Sequence, residues 1–154
     1  MIGNYLTTTT HYKNVWHYLA QRLSQRGWQV ITTSSKENQV FRLLDMLSTI
    51  LTRRETYALG QIDVFSGRAF IFAETSAWLL HRLNKPILLT LHGGGLVEFA
   101  EKHPQRVKGL YSMANQVVTP SVFIKEGLRE FREDIRLIPN PIDFSHADYS
   151  MREE

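Results

Sequence analysis

Apolar positions along the chain follow two alternating rhythms. Trp16, Leu19, Ala20 and Leu23 recur at the i, i+3, i+4, i+7 spacing of one helix face, and Gly27 follows as a stop signal. Val40, Leu43, Leu44, Leu47, Ile50 and Leu51 trace a second helical face behind the polar turn "SSKEN", which offers a cap. Phe70, Ala73, Ala77 and Leu80 mark a third helix, apolar enough to predict burial on several sides. Between these segments lie short runs of strand formers: "MIGNYL", "WQVITT", "QIDVFSG", "ILLTL", "NQVVTPS" and "IRLIP". The unbroken apolar run of residues 87–91 fits the centre of a parallel sheet, buried on both faces. Past it, Pro104 divides a helical region, and "VFIKEGLREF" predicts a last helix. Six strands alternating with five helical segments predict an α/β fold, an open parallel sheet with helices on both faces.

Such a sheet binds ligands outside the carboxyl ends of its strands. Four segments fall at that edge: Thr7 to Lys13, Ser66-Gly67-Arg68, His92 to Gly95, and Thr119-Pro120-Ser121. The run "LLTLHGGGLVEF" is the most informative. Three consecutive glycines are costly to order, so a chain keeps them where the backbone turns sharply or something must approach closely. His92 is the titratable group at that point, either donating to a ligand hydroxyl or bonding a loop carbonyl. The other histidines, among them His17, His81, His103 and His146, sit singly on helices or loops.

Composition narrows the chemistry. At 154 residues the chain is the size of one ordinary domain, and 43% hydrophobic with 21% charged residues is a globular composition. A net charge of +3 with no run of five like charges argues against a nucleic-acid partner and fits an anionic small molecule or membrane surface. The absence of cysteine excludes disulfides, thiolate metal sites and cysteine nucleophiles. It also favours a cytoplasmic setting. No apolar run approaches the ~20 residues of a membrane span, and the N-terminus lacks the features of a signal peptide.

Phosphate-binding glycine fingerprints are missing after the first strand. The loop there carries Thr8, Thr9, Thr10, His11 and Tyr12, a hydrogen-bonding lip for a sugar or phosphate, or else a helix cap and a solvated loop. No metal is predicted, because no histidine pair has ligand spacing and no Asp-rich loop exists. Asp63, inside the third strand, either serves a site or anchors a neighbouring loop. Glu98 either contacts substrate or complements the N-terminus of its helix. Arg68 opens a helix, where a cation is disfavoured unless a ligand phosphate or a nearby acid answers it. "HGGG" also occurs as the oxyanion hole of α/β-hydrolases, but no two glycines lie four apart to form their nucleophile elbow.

The segment "VVTPSVFIKEGLREFREDIRLIPNPID", with "LAQRLSQRGWQVITTS" and "LTLHGGG", resembles the N-terminal, acceptor-side domain of family-4-like glycosyltransferases of the GT-B fold. In that family a Pro-Asn-Gly-Val/Ile-Asp-type segment begins the second domain, and here it reads Pro139-Asn140-Pro141-Ile142-Asp143. The resemblance covers about residues 2–143 and implies a Rossmann-like domain, with 144–154 as the start of a linker. It implies that His92 lies close to the transferred sugar and that Gly93, Gly94 and Gly95 let backbone amides approach it. Residues Thr8 to Tyr12 would help to hold donor phosphates or acceptor, in a loop where relatives often carry a glycine pair. Ser66, Arg68, Glu98 and Ser121 complete the predicted substrate-binding set.

The co-substrate implied is a nucleotide-diphosphate sugar, with no tightly bound cofactor, and transfer with retention of anomeric configuration. The acceptor is a carbohydrate or lipid-linked molecule, placing the domain in the cytoplasm with peripheral contact at the inner membrane face; Arg53-Arg54 fits such contact. The family's C-terminal domain carries two glutamates eight positions apart, and no glutamate pair here has that spacing. The expectation is therefore a first strand cut short at Met1 and a donor-binding half supplied in cis or trans, without which the chain is inactive. The rival readings are an orphan Rossmann-like binding module, a subunit of a split transferase, and a truncated hydrolase using "HGGG". A split subunit would expose apolar docking surface, for which Trp28, Phe144 and Tyr149 are candidates, with core packing the expected role of Trp28.

Overall fold

The computed structural model describes residues 1–2, 15–33 and 36–140. Its elements run α1 (Val15–Gln25), α2 (Gln39–Thr52), β1 (Gly60–Val64), a 3-10 turn (Gly67–Ala69), α3 (Phe70–Arg82), β2 (Ile87–Leu91), α4 (Gly95–Lys102), α5 (Pro104–Ser112), β3 (Gln116–Thr119), α6 (Val122–Gly127) and β4 (Arg136–Leu137). The strands pair in parallel in the order β1-β2-β3-β4, flanked by helices.

Among the described residues the sheet has four strands rather than the six expected. "MIGNYL" and "WQVITT" contribute isolated parallel bridges, Ile2 to Thr33 and Ile2 to Ile62. A ladder needs successive partners, and the first segment offers only Met1 and Ile2 among the described residues. The Ile2 amide donates to the Gln61 carbonyl at 2.7 Å, and the Asp63 amide donates to the Ile2 carbonyl at 3.0 Å. With these bridges included, the six segments stand in the spatial order 2-1-3-4-5-6. The order reverses between Ile2 and β1, the kind of switch point at which open α/β sheets place ligands.

Alternation along the strands gives the sheet two different faces. Ile62, Val64, Leu89, Leu91 and Val117 share one face and are fully buried or nearly so. Phe70, Ala73, Ala77 and Leu80, the predicted apolar face of α3, all have no exposed surface and join the same core. Gln61, Asp63, Leu88, Thr90 and Val118 occupy the opposite face, which is the more polar one.

Two expectations about packing are corrected. On α2 the buried residues are Arg42, Met46 and Ile50, whereas Val40, Leu44 and Leu51 are exposed. Arg42 causes the rotation: its Nε donates to the Lys36 carbonyl at 2.8 Å and its Nη2 to the Glu37 carbonyl at 3.1 Å, so the guanidinium is turned inward onto the preceding loop. Asn38 caps the helix as "SSKEN" predicts, its Oδ1 accepting from the amides of Val40 and Phe41. Trp28 is not a core residue; it is 65% exposed, because it follows the Gly27 turn rather than entering a strand. Phe144 and Tyr149 lie outside the described residues.

The α5–β3 connection, which sets where β3 enters the sheet, is held by one arginine. Arg132 Nη1 donates to the carbonyls of Tyr111 at 2.7 Å and Ala114 at 2.8 Å, and its Nε donates to Asp134 Oδ1 at 2.6 Å. These carbonyls end a helix, where intrahelical partners run out.

Candidate functional site at the carboxyl edge of the sheet

β1 ends at Val64, and β2 ends one residue before His92. The His92 amide donates to the Val64 carbonyl at 2.9 Å, extending the ladder and fixing the histidine backbone at the sheet edge. By pleat parity its side chain lies on the polar face, with Thr90 two residues before it and Asp63 on the neighbouring strand. There the polar side chains run in a file toward the edge. Gln61 Nε2 donates to Thr90 Oγ1 at 3.0 Å and lies 3.4 Å from Asp63 Oδ1. Asp63 Oδ1 in turn lies 3.5 Å from His92 Nε2, an ion-pair distance just short of hydrogen-bond geometry. The Phe65 ring stacks on the imidazole at 5.3 Å between centroids and 26° between planes.

The pair is buried, with 1% of the Asp63 side chain and 9% of the His92 side chain exposed. Burial raises the Asp63 carboxyl above the usual carboxylate range, and the His92 imidazole beside it partly offsets that rise. Next to Asp63, between Ile2 and β1, is a cavity of about 270 Å³ walled by Arg42, Met46, Phe65, Phe72 and Ala73. It occupies the switch point of the sheet.

Each glycine after His92 has its own reason. Gly93 sits at φ +82°, a conformation that L side chains rarely adopt. A Cβ at Gly95 would come within 3.2 Å of Ser66 Oγ, so β1's end and the start of α4 approach closely there. Gly94 has an ordinary helical backbone at φ −60°, and a Cβ added to it would meet nothing within 4 Å. The fold makes no demand for glycine at 94, and the space beside it is open. Gly93→Ala is therefore expected to cost about 1–2 kcal/mol through left-handed strain. Gly94→Ala should change stability by no more than ~0.5 kcal/mol. Urea unfolding of the two variants checks this; equal losses would show that the turn is not built this way.

The structure brings Ser66 and Gly93 to Gly95 together with His92 across the ends of β1 and β2. Arg68 is exposed in the 3-10 turn after Ser66, and no described acid pairs with it. Glu98 is exposed on α4 and accepts from Lys102 Nζ at 2.6 Å, which holds its carboxyl below the usual range. Ser121 caps α6, its Oγ accepting from the Ile124 amide at 3.4 Å, while Thr119 Oγ1 donates to the Leu91 carbonyl at 3.1 Å. Glu98 and Ser121 thus already have structural partners. Thr8, Thr9, Thr10, His11 and Tyr12 lie outside the described residues. Among the described residues no group of three His, Asp or Glu side chains is arranged to hold a metal ion, and no helix is long and apolar enough to cross a membrane.

Sequence reading did not join Asp63 to His92 or give Gln61, Phe65 and Thr90 any part. A signal existed in the two-residue spacings Gln61-x-Asp63 and Thr90-x-His92, each a polar pair inside an apolar strand. Only the parallel register of β1 against β2 places the two pairs side by side.

A parallel sheet flanked by helices, with a histidine and an open glycine turn at its carboxyl edge, is a Rossmann-like α/β domain. The family model for Glycosyltransferase Family 4 matches residues 12–146, most of the chain, and the protein belongs to that family. It is a glycosyltransferase-type domain, which sets aside the hydrolase reading of "HGGG". Comparison with curated proteins and with solved structures gave no match.

Proposed function

We propose that this domain is the acceptor side of a nucleotide-sugar-dependent glycosyltransferase of the GT-B type. The observation that carries the reading is the open turn at Gly94 directly after His92, at the carboxyl edge of the sheet in a chain of this family. His92 hydrogen-bonds a hydroxyl of the sugar being transferred through the imidazole nitrogen that faces away from Asp63, and the glycine turn lets that sugar come against the backbone. The reaction breaks the bond between the anomeric carbon and the nucleoside diphosphate and forms one to an acceptor hydroxyl, with configuration retained. Its transition state places negative charge on the departing diphosphate, which a donor-binding half in cis or trans must answer. Acceptor, anomeric carbon and diphosphate have to share one cleft, so this domain alone is catalytically silent.

A lipid-linked acceptor would bring the domain to the cytoplasmic face of the membrane. Val40, Phe41, Leu44 and Leu51 are exposed on α2, and Arg53 and Arg54 are exposed just beyond it, a surface that suits such contact. The test combines the 154-residue chain with a donor-binding polypeptide, taken from its own reading frame or a neighbouring one. Nucleotide release is followed for a panel of nucleotide-diphosphate sugars, with and without membrane lipid extract. Release that requires both polypeptides supports the reading. Release no greater than from the donor half alone, across the panel, overturns it.

A further inference from the structure

We propose that Asp63 is a positioning residue for His92, holding one proton between its Oδ1 and the imidazole Nε2 and so fixing the tautomer and plane of the ring. This deepens the reading of His92 given above and rests on it for its role in transfer. Three observations converge. Asp63 and His92 stand on adjacent strands with both side chains buried and 3.5 Å between Nε2 and Oδ1. Phe65 stacks on the imidazole, so the ring has a carboxyl at Nε2 and an aromatic plane against its face. Gln61 holds the carboxyl from behind, its Nε2 anchored to Thr90 Oγ1 at 3.0 Å and 3.4 Å from Asp63 Oδ1.

A carboxyl inside a strand is not needed for packing. Burying it costs stability, and its second oxygen, Oδ2, has no hydrogen-bond partner among the described residues. Side chains kept at such a cost are often those whose orientation serves a site. A carboxyl set against one imidazole nitrogen favours the proton on that nitrogen, and a small approach of the two side chains closes the hydrogen bond. The ring then meets the substrate without first reorienting, the condition for electrostatic preorganisation. Among the described residues, the other charges near Asp63 are the Met1 amino group and, across the cavity wall, Arg42.

The experiment uses the 154-residue chain, labelled with ¹⁵N and ¹³C, and needs no sugar donor. In the wild type, imidazole ¹⁵N shifts are expected to show His92 with its proton on Nε2. In Asp63→Leu that signature should give way to mixed tautomers, while the other described histidines keep theirs. A wild-type His92 protonated mainly on Nδ1, or a signature unchanged in Asp63→Leu, overturns the proposal. If Asp63→Leu does not fold, the carboxyl ¹³C of Asp63 is titrated in wild type and His92→Gln. The carboxyl should titrate higher in His92→Gln, because the imidazole lowers it; an unmoved titration overturns the coupling. Since neither readout involves transfer, failure here leaves the glycosyltransferase reading standing, and failure of the transfer assay leaves the dyad standing.

A role in transfer adds a kinetic readout. Asp63→Asn in the complete enzyme should lower kcat by roughly 10-fold or more with KM little changed. A matched loss in thermal stability with kcat intact would make Asp63 merely structural.

Discussion

Replacing His92 with alanine is expected to lower sugar transfer by the complete enzyme ~10²- to 10³-fold, the usual effect of removing one preorganised hydrogen-bonding group from a polar transition state. The melting temperature should move by only a few degrees. His92 stands at the end of β2 rather than within the core cluster, and its backbone bond to Val64 survives the change. Its loss also frees Asp63 of the imidazole that lowers its carboxyl, so that carboxyl holds its proton to higher pH. A protonated acid is the cheaper one to bury, which limits the damage to folding. His92→Gln, whose amide keeps a hydrogen-bonding group of similar reach, should recover part of the rate. Transfer within 3-fold of wild type in His92→Ala would remove the histidine from the mechanism; a collapse of folding instead would make it structural.

The second large effect is on stability. Phe70→Ala is expected to cost about 3–5 kcal/mol, the range for emptying a buried aromatic site. For a domain of this size that corresponds to a drop in Tm of ~6–20 °C. Phe70 has no exposed surface and begins α3. Its ring meets Phe99 of α4 at 4.7 Å between centroids, and the Arg106 guanidinium of α5 lies 5.3 Å from it. Arg106 is held in place by a two-pronged ion pair with Glu74, one prong being Nε to Oε1 at 2.9 Å. Three helices therefore converge on one ring, and α4 is the helix that opens on the glycine turn. Thermal or urea unfolding measures the loss. A cost below 1 kcal/mol would mean that the helices close over the space, and the turn should then shift as well.

The parts of the fold legible in the sequence are those in which one segment carries its whole signal. "ILLTL" predicts β2 residue for residue, because a central parallel strand is apolar on both faces. Phe70, Ala73, Ala77 and Leu80 predict the buried face of α3 for the same reason. The α2 face was misread because one inward arginine outweighs several leucines when loop carbonyls await it. The outer strands were overcounted because pairing belongs to two segments at once. In the site, the glycine turn could be read from three letters. The Asp63–His92 contact could not, since it depends on the register between two strands whose partners stand 27 residues apart.

The unequal depth of strand pairing bears on which parts of the protein open first. β1 and β2 are joined over five consecutive residues, whereas β4 pairs with β3 over two residues, both exposed. Amide hydrogen exchange should therefore be slowest at Ile62, Leu89 and Leu91, which release their protons only on global unfolding. The Ile138 amide, which donates to the Thr119 carbonyl beside β4, should exchange through smaller, sub-global openings. Asp63 and His92 stand on the deeply paired side, at the ends of β1 and β2. The β4 edge can therefore part while the histidine and its glycine turn stay in place.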